Sequence, residues 1–199
     1  HILERLLSEG GSVSDYLVQK GNWQIFYTRK LSGFVQILDF IPTILDAQEK
    51  QRNPSELKVL HFDSEMLRNV LLALLNSSLF YWWLTIRSDC RNLNLREIES
   101  MPFRLEAASS STLSRLDTLA QSLTNQLKAT SQMQRLSYRD LGQLTIQLIY
   151  PKKAKRLIDQ IDQTLAAHYG FTEAERDFII NYDIKYRMGE GLFEEGEDV

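Results

Sequence analysis

Residues 63–103 read DSEMLRNVLLALLNSSLFYWWLTIRSDCRNLNLREIESMPF and join the most apolar segment of the chain to its densest cluster of Arg, Asp and Asn. Between Met66 and Leu84 the residues Leu67, Val70, Leu71, Leu74 and Leu75 recur at helical spacing, which predicts one buried helix. Asp63 is placed to cap it, with Phe62 and Leu67 as a hydrophobic staple. The aromatic end, Phe80-Tyr81-Trp82-Trp83, is apolar on all sides and belongs between two layers of a domain. Arg68, Asn69, Asn76, Ser77 and Ser78 interrupt the run, so no stretch of about 18 clean apolar residues reads as a membrane span. The chain then turns polar through Arg87-Ser88-Asp89-Cys90-Arg91-Asn92-Leu93-Asn94. These are side-chain types that read base edges: an Arg fork matches guanine, Asn pairs with adenine, and Asp accepts from cytosine. They are equally the types found in a solvated loop with internal Asp-Arg pairs.

The 199 residues suffice for one or two domains with a real core, and 43% hydrophobic with 25% charged residues is ordinary for a soluble globular protein. A single cysteine excludes an intrachain disulfide and a thiolate metal cage, in keeping with a reducing, cytoplasmic setting. No signal peptide is apparent, and a start at His1 instead of Met points to a fragment. The net charge of −3 runs against nucleic-acid binding, but residues 190–199 hold five acids and no base. Residues 1–189 carry 23 positive against 21 negative charges, a balance of +2, with cations concentrated at Arg87, Arg91 and Arg96 and at Lys152, Lys153, Lys155 and Arg156.

Working outward, residues 2–9 suit a short helix stopped by Gly10-Gly11. WQIFYTR and FVQILDFI read as two strands joined by a turn at Lys30-Leu31-Ser32-Gly33, and LKVLHF as a third strand ahead of the apolar helix. Residues 107–111 form a Ser-rich connector, after which Leu113, Leu116, Ala120, Leu123 and Leu127 make a heptad-like stripe continuing weakly to Leu136. Such a helix reaches roughly 35 Å at 1.5 Å per residue. Pro151 opens a further helix with the stripe Leu157, Ile158, Ile161 and Leu165, stopped by Gly170. Thr172 and Glu175 form a capping box for a last helix, and residues 190–199 read as an acidic, solvating tail. The expected class is α+β: an α/β region over 1–106, with a hairpin and a buried anchor helix, then a helical region over 107–189.

The run LLNSSLFYWWL...SDCRNLNLREIESMPF resembles the target-recognition region of TaqI-like and related type IIG adenine-specific DNA methyltransferases, as does GNWQIFYTRKLSGFVQILDFIP before it. YPKKAKRLIDQIDQTLAAHYGFTEAERDFIINYDIKYRMG is similar to the C-terminal close of those enzymes. The resemblance implies a DNA target-recognition fragment of a larger, site-specific, SAM-dependent methyltransferase or fused restriction-modification enzyme. Its partners would be double-stranded DNA and a methyltransferase domain upstream in the same polypeptide. On this reading Arg29, Lys30, Arg87, Asp89, Arg91, Asn92 and Asn94 are candidates for groove contact; Lys152 and Lys153 suit phosphate clamps and suit equally a helix face that balances Asp159 and Asp162.

Catalytic motifs of that family are missing here. There is no glycine-rich cofactor loop, and Asn53-Pro54-Ser55-Glu56 lacks the second proline and the aromatic ring of an Asn-Pro-Pro-aromatic motif. SAM therefore belongs to the parent enzyme, and no catalytic or metal-binding residue is assigned in this chain. Two rival readings are a small Mg-dependent nuclease on Asp46, Glu56 and Lys58, and a protein-protein module using the leucine stripe. Cys90 has no sequence signature linking it to His1, His61 or His168, and reads as a small semi-buried loop residue.

Overall fold

A computed structural model describes residues 1–30, 36–54 and 56–184. The fold is α+β, with two small antiparallel sheets and a helical C-terminal part. A short helix α1 (Ile2–Leu7) and a 3-10 turn (Val13–Tyr16) lead into strand β1 (Trp23–Thr28). At Gly21 a Cβ would lie 2.2 Å from the Phe62 carbonyl oxygen, so only glycine admits this close approach to the neighbouring strand. Strands β2 (Ile37–Leu38), β3 (Ile44–Leu45) and β4 (Leu57–Phe62) follow, and the first sheet has the order β2-β1-β4. The β1–β4 register pairs Ile25 with Leu60 and Phe26 with Val59. Alternation then buries Ile25, Tyr27, Leu60 and Phe62, while Val59 stays exposed. The expected β1–β2 hairpin is present as Phe26↔Leu38 and Tyr27↔Ile37. Its regular pairing is shorter than the FVQILDFI run, and residues 31–35 of the expected turn and strand lie outside the described residues, as does the acidic tail.

The single helix expected between Met66 and Leu84 is two helices, α2 (Glu65–Asn76) and α3 (Ser78–Arg87), bent by 65°. Side-chain chemistry at the junction explains the break. Ser77 adopts an extended ψ of 160°, and its Oγ accepts from the Phe80 N–H at 3.0 Å, so it caps α3 inside the apolar run. Asp162, buried, accepts from the Ser78 N–H at 2.8 Å and satisfies another donor of that helix start. Asn76 donates to the Ile37 and Leu72 carbonyls and pins the end of α2 to β2. The start also shifts by one residue: Ser64, not Asp63, is the cap, accepting from the Leu67 N–H at 3.1 Å. Among the described residues no single helix is long and apolar enough to cross a membrane.

After α4 (Leu95–Glu99) and a 3-10 turn (Leu105–Ala107), helix α5 (Ser110–Thr130) lies along α2 and buries Leu116, Leu119, Ala120, Leu123 and Leu127. The leucine stripe is thus covered within the chain. It does not continue to Leu136. Ser131 turns extended with ψ 156°, and β5 (Gln132–Tyr138) pairs with β6 (Gly142–Leu148) around a turn in which Gly142 has φ +70°. Strand β3, from the first hundred residues, adds to β6 and gives a second sheet of order β3-β6-β5, whose β5 and β6 lie in the segment expected to be helical. Pro151 starts a 3-10 turn that runs into α6 (Lys155–His168), and Gly170 follows its end at φ +65°. The Thr172–Glu175 capping box opens α7 (Glu173–Asn181) as expected. Apolar side chains from Leu6 to Ile179 form one buried core.

At the corner where α1 meets α6, His168 is buried with its Nε2 3.6 Å from a Glu9 carboxylate oxygen and its ring 4.7 Å from that of Tyr169. Burial holds the imidazole below its usual value of 6.5, against the opposing pull of Glu9. The neutral form is therefore the one the fold accommodates. Below pH 6.5 the unfolded chain takes up this proton before the native one, so stability present above that pH is lost as pH falls through the lower native value. Urea midpoints measured from pH 7.5 down to about 5.5 should fall for the wild type and fall less for His168→Gln.

Candidate nucleic-acid interface

The polar loop after α3 and the end of β1 meet on one surface. The Leu93 N–H donates to the Arg29 carbonyl at 2.7 Å, Lys30 and Asn92 form an isolated antiparallel bridge, and Arg29 Nη2 donates to Asn94 Oδ1 at 3.2 Å. Leu93 is fully buried and roots the loop in the core, while Arg29, Lys30, Arg87, Asp89, Arg91 and Asn92 are exposed. Two candidate segments more than fifty residues apart in sequence are thus one patch.

Local chemistry shapes the loop. Ser88 Oγ accepts from the Cys90 N–H at 3.0 Å and Asp89 Oδ1 from the Arg91 N–H at 3.1 Å, two consecutive side-chain-to-backbone turns. Cys90 stands between them at φ 57°, exposed, which corrects the semi-buried placement expected for it. The tight turn drives its side chain outward. Glu97, buried at 1% exposure, accepts from the Asn94 N–H at 2.9 Å and from Arg96 Nη2 at 2.9 Å, fixing the start of α4. Among the described residues Lys30, Arg91 and Asn92 hold no side-chain partner, whereas Asn94 has its carbonyl oxygen engaged by Arg29.

Beneath the patch, Trp83 is fully buried and its Nε1 donates to the Glu97 carbonyl at 3.2 Å. The Arg87 guanidinium lies over its ring at 4.8 Å. A cleft of about 390 Å³ opens beside it, lined by Ile86, Arg87, Arg96, Glu97 and Ser100. Arg96 was visible in the sequence only as part of a cation cluster. Its i,i+1 neighbour Glu97, opening a short helix after Asn94, was the signal that it is held in place.

Lys152 and Lys153 are exposed on the turn before α6, with Lys153 Nζ 5.1 Å from the Tyr150 ring centroid. Among the described residues no hydrogen bond or ion pair joins them to the loop. Lys155 is paired with Asp159 on its own helix, so it is a neutralised member of that cation run. Of the nuclease trio, Asp46 Oδ1 accepts from the Gln48 and Lys50 N–H groups as a turn cap, and Lys58 lies on β4 opposite Tyr27. Asp46 follows β3 of one sheet and Glu56 precedes β4 of the other. No group of three or more His, Cys, Asp or Glu among the described residues is arranged to hold a metal ion. Comparison with protein-family models, curated proteins and solved structures finds no match for this chain.

Proposed function

We propose that this chain is the DNA target-recognition part of a larger SAM-dependent, site-specific adenine methyltransferase or fused restriction-modification enzyme. The observation that carries the reading is the convergence of Arg29 and Lys30 with the 87–94 loop on a base anchored by Trp83 and Glu97. Base readout needs donors and acceptors held in register by a rigid scaffold, and this patch has such a foundation beneath Lys30, Arg91 and Asn92, whose side chains have no partner among the described residues. Its five cations, Arg29, Lys30, Arg87, Arg91 and Arg96, outnumber Asp89, Glu97 and Glu99, giving the patch the sign required for a polyanion. The partners are double-stranded DNA and the upstream methyltransferase domain, which binds SAM and carries the transfer chemistry in a cytoplasmic setting. The leucine-stripe alternative loses its basis, because α5 packs the stripe against α2.

The patch and the α6 lysines should separate by physics. Arg91→Ala or Asn92→Ala should cost about 1 to 3 kcal/mol and relax preference at one base position. Lys152→Ala and Lys153→Ala should weaken binding to all sequences alike and lower the salt slope by about one unit for each phosphate no longer neutralised. Asn94→Ala frees Arg29 as well as removing an amide, so its effect should exceed that of Asn92→Ala. Binding titrations of the full-length enzyme at several salt concentrations, against single-base variants of its site, read all three outcomes. Unchanged preference in every loop variant, with the protein folded, removes the loop as the reader.

A further inference from the structure

We infer that the cleft between Arg87 and Arg96 is a phosphate site that takes one phosphodiester group of the bound nucleic acid. This rests on the DNA reading above and deepens it, separating a clamp from the side chains that read bases. Two guanidinium groups line the cleft, and each is oriented by something rigid. The Arg87 guanidinium lies over the buried Trp83 ring, and its N–H donors have no hydrogen-bond partner among the described residues. Arg96 gives a donor to Glu97, itself buried and bonded to the Asn94 N–H, and keeps further donors of its fork. Such pre-oriented forks match the planar, bidentate geometry of phosphate oxygens. Glu97 also lines the cleft, but Arg96 balances its charge, so the three ionised groups sum to one positive charge. The roughly 390 Å³ of space admits a phosphate with part of its sugar and excludes nothing of that size. By contrast the Arg91 guanidinium has no partner among the described residues and keeps all its donors available for a base edge.

The test uses the 199-residue chain with inorganic phosphate and with a generic DNA duplex. When phosphate replaces chloride at constant ionic strength, side-chain Nε–Hε NMR signals of Arg87 and Arg96 should shift in a saturating way. The signal of Arg91 should not. Arg96→Lys keeps the charge but loses the fork that Glu97 orients, so phosphate should bind about fivefold more weakly. A purely structural Arg96–Glu97 pair predicts unchanged phosphate binding in this variant. In the duplex arm, Arg87→Ala, Arg96→Ala and the double variant should each lower the salt slope by about one unit, since both arginines hold the same phosphate. Duplex binding with an unchanged slope in all three variants, or a double variant lower by about two units, overturns the single-phosphate clamp and leaves the DNA reading standing. Saturable phosphate shifts in a chain that binds no duplex support the anion site and overturn the DNA reading. Absence of both effects overturns the two together.

Discussion

Trp83→Ala should destabilise the fold by about 3 to 5 kcal/mol, a large share of the roughly 5 to 15 kcal/mol that holds an ordinary domain folded. Trp83 is fully buried among the core side chains, so truncation leaves a cavity in a region of α3 that also contains Leu79, Phe80 and Leu84 at 1% exposure or less. The same change strips the Glu97 carbonyl of its indole donor and removes the ring under Arg87. Phe at this position retains most of the volume but not the N–H, and should cost about 1 to 3 kcal/mol. Its diagnostic effect is on the loop: amide exchange from residues 89–94 should accelerate in Trp83→Phe more than exchange in α5. Thermal or urea unfolding of both variants checks the magnitudes. Equal exchange changes in loop and α5 would sink the claim that Trp83 supports the loop in particular. The neighbouring Trp82 is only partly buried, so Trp82→Ala should cost less.

Asp39→Ala is expected to cost a similar amount, about 3 to 5 kcal/mol, for an electrostatic reason. Asp39 follows β2 and accepts from Arg68 Nη1 of α2 and, at 2.8 Å, from the hydroxyl of Thr124 on α5, tying three elements of the molecule through one carboxylate. Both charged side chains are shielded, Arg68 at 10% and Asp39 at 14% exposure. Among the described residues, removing the carboxylate leaves the buried guanidinium with the more exposed Glu65, at 3.6 Å, as its remaining counter-ion. Asp39→Ala with Arg68→Met should recover much of the loss, because the uncompensated charge disappears with its partner. Urea unfolding of the single and double variants measures the coupling, and a double variant as unstable as the sum of the singles contradicts it.

Much of this architecture was legible in local chemistry, and the misreadings share a cause. Runs of aromatic and aliphatic residues mark β1 and β4, the Thr172–Glu175 pair marks α7, and Gly170 marks the end of α6. The break at Ser77 was harder because hydrophobic periodicity runs straight across it, while the cap that decides it is a single hydroxyl within an apolar run. Asp162, whose carboxylate meets that helix start, lies 84 residues away along the chain. Leu136 prolonged the leucine stripe by spacing alone, yet the chain had already turned extended at Ser131 and needed Gly142 to return as a hairpin. At the interface, residue types singled out both Arg29-Lys30 and the 87–94 loop. Their union could not be read, since it depends on the hydrogen bond between Leu93 and Arg29 across the fold. The neighbouring Arg29–Asn94 bond withdraws Asn94 from the unengaged side chains and leaves Arg91 and Asn92 as the better readers.

Selection of bound duplexes from a randomised DNA pool by the 199-residue chain tests the central claim most directly. The account predicts enrichment of a short sequence motif by the wild type, and loss of information at one position of it with Arg91→Ala while general duplex binding persists. A folded wild-type chain that retains no duplex at about 50 mM salt, or one that retains duplexes without enriching any motif, would contradict it.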